Sequence, residues 1–498
     1  MLSYIRLMLV RPNTRKEGEK METKLKEKYG LPVAIAMVIG IVIGSGVFFK
    51  AEKILKATGG NQPLGILAWI IGGAIMIVCA YTFATMATRH SYVNGVVDYA
   101  EVTVGGKYAY LLGWFMTTIY YPTLTSVLAW VSARFFCVLM GWDISGGSCL
   151  AIAAFFLCTS YAVNALSPVL AGKFQVGTTV IKVIPLILMG VVGLIVGLSN
   201  GLTVQNFTTV VTPITNTGKA LFTAVVATAF AYEGWIIATS INAELKDAKK
   251  NLPKALVIGT VAVIIIYVLY YIGLTGGVTN KVMMDGGQAG AKIAFETVFS
   301  KAGGTLLFVF IVISCLGTLN GLMLGCTRGM YSLAVRGEGP KPELFKQVDP
   351  STNMPTNSAV LGLFLCGLWL LYFFGAVVVT IPLADQAAGS APWFGKFSFD
   401  TSELPIVTIY ASYIPIFILM MKKEKDLGAF KRFVMPILAV CGCIFMVIAA
   451  IFADGWNVAY YLVIFAVIML ISLFFIGKKE VTPVVNSKNN NGKKKAKK

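Results

Sequence analysis

Two stretches of this 498-residue chain place polar and backbone-loosening residues inside long apolar runs. One is Ile39-Gly40-Ile41-Val42-Ile43-Gly44-Ser45-Gly46-Val47-Phe48; the other is Ala229-Phe230-Ala231-Tyr232-Glu233-Gly234-Trp235. Glycine holds a helix poorly, and an unwound segment frees N–H and C=O groups that hydrocarbon cannot satisfy. Such a break must line a cavity or bind something polar. The N-terminus of a half-helix offers N–H donors and a positive dipole end to a carboxylate. The carbonyls left at the break offer acceptors to an ammonium, so a zwitterion carrying one of each fits both. For the Gly44-Ser45-Gly46 triplet alone, close helix packing is the simpler explanation. A second interruption at the corresponding place in another run turns the balance to binding.

Two ionisable residues lie deep in apolar runs: Lys182, within Thr178-Thr179-Val180-Ile181-Lys182-Val183-Ile184-Pro185, and Glu233 in the second break. Charges at that depth are costly and mark a route or a cavity. The structural alternatives are snorkelling for Lys182 and a salt bridge for Glu233, with Lys182 as a candidate partner. Arg134, near the end of its run, is expected to snorkel. Tyr232 and Trp235 flank Glu233 and are expected to restrict the site to a modest side chain.

The elements that position these residues are apolar runs of about the 20 residues a helix needs to cross a bilayer. Twelve are present, near 32–50, 63–88, 108–140, 149–167, 174–199, 217–243, 254–276, 303–335, 357–380, 402–421, 433–453 and 456–477. The alternating strands of a barrel are absent. The two breaks fall in runs 1 and 6, five helices apart and running the same way. Paired interruptions of this kind mark a five-helix inverted repeat with discontinuous helices around a central site. A short interfacial helix is expected over Ala289 to Ser300, and an irregular Pro- and Gly-rich loop over 336–356. The chain divides into an N-terminal segment 1–30, a transmembrane domain 31–477 and a disordered basic tail 478–498.

Of all residues, 57% are hydrophobic and 13% charged, and the mean hydropathy is +0.76; soluble chains carry roughly a quarter charged residues. The net charge of +19 does not point to nucleic acid, because of where it sits. Residues 1–30 hold eight Lys/Arg, the tail eight, and the loops and span ends on the same side sixteen, against eight on the other side. This is the positive-inside pattern, with both termini cytoplasmic, an even span count and a plasma (inner) membrane location. The Lys-rich tail is expected near anionic lipid. Leu2 to Val10 is too short and too interrupted by Arg6 for a cleaved signal peptide, and the first 20 residues add nothing the fold needs, which makes Met21 a candidate start. The nine Cys form no C-x-x-C pair and His90 is the single histidine, so hydrolase triads, His-rich metal sites and cofactor motifs are not expected. A channel is disfavoured by the lack of a filter-like or pore-lining charge pattern.

With these residues in place, residues 30–477 resemble the amino-acid/polyamine/organocation superfamily. The likeness is greatest to its L-type amino-acid exchanger branch and the bacterial serine/threonine and alanine/serine/cysteine exchangers. Val38 to Phe48 matches I-G-x-x-I-G-S-G-[IV]-F, Thr178 to Pro185 matches T-T-x-x-K-x-I-P, and Phe230 to Trp235 matches F-A-Y-[DEG]-G-W. Glu244 to Ala255 resembles the following E-x-K-N-P-x-K-N-[IL]-P-[RK]-A, and Gly317 to Gly321 with Arg328 resembles G-x-x-N-G and its later Arg. Departures are Thr85 in place of an acid, Asn94-Gly95 in place of Gly-Gly, Ala243 in place of Glu, and Asp349 in place of His. The resemblance implies about 12 transmembrane helices in the LeuT-type 5+5 inverted repeat plus two. It implies a substrate site of Val42, Ile43, Gly44, Ser45, Gly46, Phe230, Ala231, Tyr232, Glu233, Gly234 and Trp235, with the carboxylate on the Gly44-Ser45-Gly46 backbone and the ammonium on carbonyls that include Ile43 and Phe230. Lys182 would stand where sodium-coupled relatives bind their ion. The implied activity is sodium-independent exchange of small or medium neutral amino acids by alternating access; the alternative is proton-coupled uptake or exchange of cationic amino acids or polyamines. Animal relatives bond a heavy chain through a Cys between spans 3 and 4; Cys149 lies at the membrane edge there, and no covalent partner is expected.

Overall fold

The computed structural model describes residues 30–90, 95–238, 245–350, 352, 354–378, 380–382 and 390–476. The expectations for the first segment and the basic tail fall outside the described residues, apart from Gly30. Ten helices among the described residues are long and apolar enough to cross a membrane. They are spans 2 (Gln62–Ala87), 3 (Gly106–Met140), 4 (Gly147–Leu166), 5 (Val180–Ser199, within a helix beginning at Pro168), 7 (Lys249–Gly277), 8 (within Gln288–Val335), 9 (Thr356–Val378), 10 (Leu404–Lys423), 11 (Phe430–Asp454) and 12 (Trp456–Leu473). Two further spans are broken: span 1 into 1a (Leu31–Val42) and 1b (Gly46–Ala57), and span 6 into 6a (Thr217–Ala231) and 6b (Trp235–Ala238). With these two the described residues form about twelve spans, an even count that places residues 30 and 476 on one face of the bundle, here the termini face.

Local chemistry sets the helix ends. Asn61 accepts a hydrogen bond from the Leu64 N–H at 3.0 Å at the start of span 2, where Pro63 occupies the first turn, a position that needs no donor. Gly141 (φ 71°) ends span 3. The helix expected over Ala289 to Ser300 is present: Gln288–Val335 is divided by Ser300 (φ 65°, ψ 165°), which separates a lateral segment from span 8. Among the described residues of 336–356, helix is confined to Pro342–Phe345 and to Thr356, where span 9 begins. Thr380–Pro382 and Ser390–Pro392 form a small antiparallel pair on the far face.

Packing is closest between spans 5 and 7. A Cβ on Gly193 would lie 2.3 Å from the Gly273 carbonyl oxygen, and one on Gly276 would lie 2.0 Å from the Gly193 carbonyl oxygen. Small residues let membrane helices approach in this way where no hydrophobic effect draws them together. Phe155, Leu166, Val180, Ile265, Trp456 and Phe474 point outward, an apolar exterior suited to lipid. In the centre, 1a packs with 6b and 1b with 6a, so the two breaks meet at one level.

Candidate substrate site

Helix 1a stops where Ile43 becomes extended (φ −66°, ψ 105°), and 1b begins at Gly46. The first bond within 1b runs from the Phe49 N–H to the Ser45 carbonyl at 3.1 Å, so the N–H groups before Phe49 have no acceptor in their own helix. Helix 6a stops at Ala231, and Gly234 turns the chain at φ 104°, a conformation that strains any residue with a Cβ. The Tyr267 hydroxyl of span 7 lies 3.2 Å from the Val42 carbonyl oxygen and 3.0 Å from that of Ala231. One O–H group is thus shared between the ends of 1a and 6a and holds the breaks side by side.

Between the breaks lies a cavity of about 270 Å³. Its wall includes Val42, Gly44, Ser45, Gly46, Phe230, Ala231, Glu233, Gly234 and Lys182. Three residues expected in the site, Ile43, Tyr232 and Trp235, are not in that wall. Tyr232 donates to the Trp69 carbonyl at 2.8 Å and stacks on Tyr267 at 5.3 Å. Trp235 packs 5.8 Å from Phe83 and 6.0 Å from Tyr413. The expectation that these two rings restrict the substrate is therefore corrected: the turn at Gly234 directs Glu233 to the cavity and its neighbours into the bundle.

The opposite wall comes from Tyr120, Tyr121, Leu124 and Leu128 of span 3, which carry no sequence signal, and from Thr318, Gly321, Leu322 and Leu324 of span 8, of which Thr318 and Gly321 fall in the Gly317 to Gly321 motif without being expected in the substrate site. Span 3 carries a π-helical turn over Met116–Tyr120, whose extra residue shifts the helical register, as such turns do at functional sites. The Tyr120 hydroxyl donates to the Glu233 carboxylate. Lys182 is 3% exposed and its ammonium donates to the Gly40 carbonyl in 1a. The candidate Lys182–Glu233 salt bridge is not formed. Arg134 is half-buried, with Nε enclosed and unbonded.

At the far face, ion pairs between residues that the sequence marks only as loop charges tie 1b to the start of span 10. Lys50 of 1b, fully buried, lies 2.7 Å from Glu403 and 2.8 Å from Ser402, at the start of span 10. Lys53 lies 2.7 Å from both Asp400 and Glu403. Burial alone would raise the Asp400 carboxyl, but the Lys53 and Lys50 ammoniums outweigh it and hold the group well below the usual carboxylate range. A depressed carboxylate contributes stability above its unfolded pKa and loses it only as pH falls through the lower value, so this contribution is constant across neutral pH. Toward the termini face, a second cavity of about 310 Å³ shares Tyr121, Ile236, Gly321, Leu322 and Leu324 with the first.

The geometry is accompanied by four likenesses. The family model "Amino acid permease" matches residues 29–474. The chain is 28% identical over 438 residues to the serine/threonine exchanger SteT of Bacillus subtilis (strain 168), covering 86% of this chain and 92% of that protein. It is 25% identical over 452 residues to the b(0,+)-type amino acid transporter 1 of Homo sapiens, covering 89% and 86%. In fold it is similar to MhsT, crystallised in complex with L-phenylalanine, with a TM-score of 0.55 at 12% identity over 86% of this chain and 99% of that one. Broken spans 1 and 6 around one cavity, the LeuT-type repeat and a match over nearly all the described residues lead to one conclusion: the chain belongs to the amino acid permease family and is an amino-acid transporter.

Proposed function

We propose that the chain exchanges small or medium neutral amino acids across the plasma membrane, without sodium, by alternating access around the broken spans. The observation that carries this reading is Lys182, whose buried ammonium sits on the Gly40 carbonyl beside the cavity. A fixed cation there supplies the charge that a bound ion would otherwise bring, and no ion has to accompany the substrate. The substrate carboxylate meets the free N–H groups at the start of 1b, and its ammonium meets carbonyls at the breaks and the Glu233 side. Tyr121, Leu124, Phe230 and Ile236 bound the remaining space, which favours a modest, uncharged side chain. The exchange mode is supported by SteT, a serine/threonine exchanger by name. Both termini lie in the cytoplasm, as the distribution of Lys and Arg favours. Cys149 is fully buried, which argues against a disulfide-linked partner at that position.

The second reading, proton-coupled transport or cationic substrates, rests on Glu233, a carboxylate in the cavity wall whose bonds include one from the Tyr120 hydroxyl. Uptake into proteoliposomes of a panel of labelled neutral and basic amino acids, with and without internal counter-substrate and a pH gradient, separates the two. Neutral substrates taken up only against a loaded interior support exchange; basic substrates driven by a pH gradient support the second reading.

A further inference from the structure

The cavity on the termini-face side contains a charge that the substrate site does not use. Arg328 of span 8 lines it, is exposed, and has no hydrogen-bond or ion-pair partner among the described residues. Among the described residues it is the one charged side chain in that wall. Arg328 stands seven residues before Val335, the end of the span, or about 10 Å inside it, and ten residues beyond Thr318 of the central cavity, about 15 Å away along the helix. An unpaired guanidinium at that depth is tolerated only where water reaches it, and it marks a pathway for polar cargo. Gly321, common to both cavities, is followed one and two turns later by Gly325 and Gly329. This glycine strip of span 8 faces Tyr121 and Thr117 of span 3 in the wall of the second cavity, between the central cavity and the guanidinium.

We propose that Arg328 forms a second, transient binding site for the carboxylate of an amino acid entering or leaving through the termini face. The guanidinium presents a planar pair of donors that matches a carboxylate in two parallel bonds. It attracts the carboxylate end of a zwitterion and repels a net cation, so entry from this face selects neutral or acidic amino acids before the central cavity is reached. The Gly44-Ser45-Gly46 backbone then takes over the same carboxylate. The site therefore acts on one side of the membrane only.

The proposal rests on the amino-acid exchanger reading, and two measurements keep their fates apart. Labelled serine uptake is measured in whole cells, which expose the far face, and in inside-out vesicles, which expose the termini face. Arg328→Ala is expected to raise the half-saturating concentration about tenfold in inside-out vesicles and to leave it within about twofold in cells, the loss of one water-exposed guanidinium–carboxylate pair on one side. Arg328→Lys, which keeps the charge, should recover most of the loss. Separately, phenylglyoxal modification of Arg328 in the purified wild-type protein, read by peptide mass spectrometry, should be slowed by serine and by propionate but not by propylamine. Equal shifts on both faces, or an Arg328 that propionate does not protect or that phenylglyoxal does not reach, overturn the proposal. If the wild type moves no amino acid, the exchanger reading fails, and the protection rates still decide whether Arg328 holds a carboxylate.

Discussion

A Cβ added at Gly46 would lie 2.5 Å from the Ala231 Cα, whereas one added at Gly44 meets the movable Thr318 side chain at 3.1 Å. The first contact is backbone against backbone and cannot yield; the second can. Gly46→Ala is therefore expected to impair assembly, seen as a loss of monodisperse protein in detergent. Gly44→Ala should assemble normally and lose exchange, because the added methyl stands between the free N–H groups of 1b and their ligand. Full exchange by Gly44→Ala would show that this backbone does not bind substrate. Glu233 calls for a different substitution. Glu233→Gln keeps the shape and an acceptor for the Tyr120 hydroxyl while removing the charge. It should alter the substrate profile or the pH profile of transport by about tenfold, the size of one hydrogen bond to a charged group. Unchanged profiles would make Glu233 a structural residue.

Helix 1b is an element held at both ends. At the break it packs on 6a through Gly46 against Ala231, and at the far face Lys50 and Lys53 tie it to Asp400, Ser402 and Glu403. Phe49 and Phe230 pack edge to face at 5.9 Å just beneath, with the Lys50 ammonium 5.2 Å from the Phe230 ring. For the cavity to open at the far face, 1b must leave span 10, and the Lys50 contacts must break. Lys50→Met keeps the stem and removes these bonds, worth about 1.5–3 kcal/mol for a charged pair of partners. Glu403 retains Lys53, so the fold should survive. In a Phe49→Cys background, labelling of whole cells by an impermeant thiol reagent should rise when Lys50→Met is added. An unchanged rate would mean that these ion pairs do not hold the far face closed.

At the scale of the whole molecule, much of the architecture is legible in the chain because a bilayer leaves helices few alternatives. Among the described residues, ten of the apolar runs form membrane-length helices and the runs at 32–50 and 217–243 carry the two breaks, and Gly234 at φ 104° shows why that break needs glycine. What could not be read is the far wall of the site. Tyr120 and Tyr121 reach it through a π-helical turn that leaves no composition signal, and the Gly317 to Gly321 motif does not reveal that Thr318 faces the breaks; Tyr267, which clamps the breaks from outside that wall, comes from a span that local spacing does not connect to them. Tyr232 and Trp235 were expected in the site from adjacency to Glu233, but adjacency across a turn does not imply a shared face. The burial of Lys50 was equally hidden, since its partners are more than 350 residues away. The central claim, exchange that needs no sodium because Lys182 supplies the charge, is tested most directly by labelled serine uptake into proteoliposomes. They are loaded or not with unlabelled serine, in sodium or choline buffer, for the wild type and Lys182→Ala. Wild-type uptake is predicted only in loaded liposomes, equally in both buffers, and nearly absent in Lys182→Ala; uptake into empty liposomes that requires sodium would contradict it.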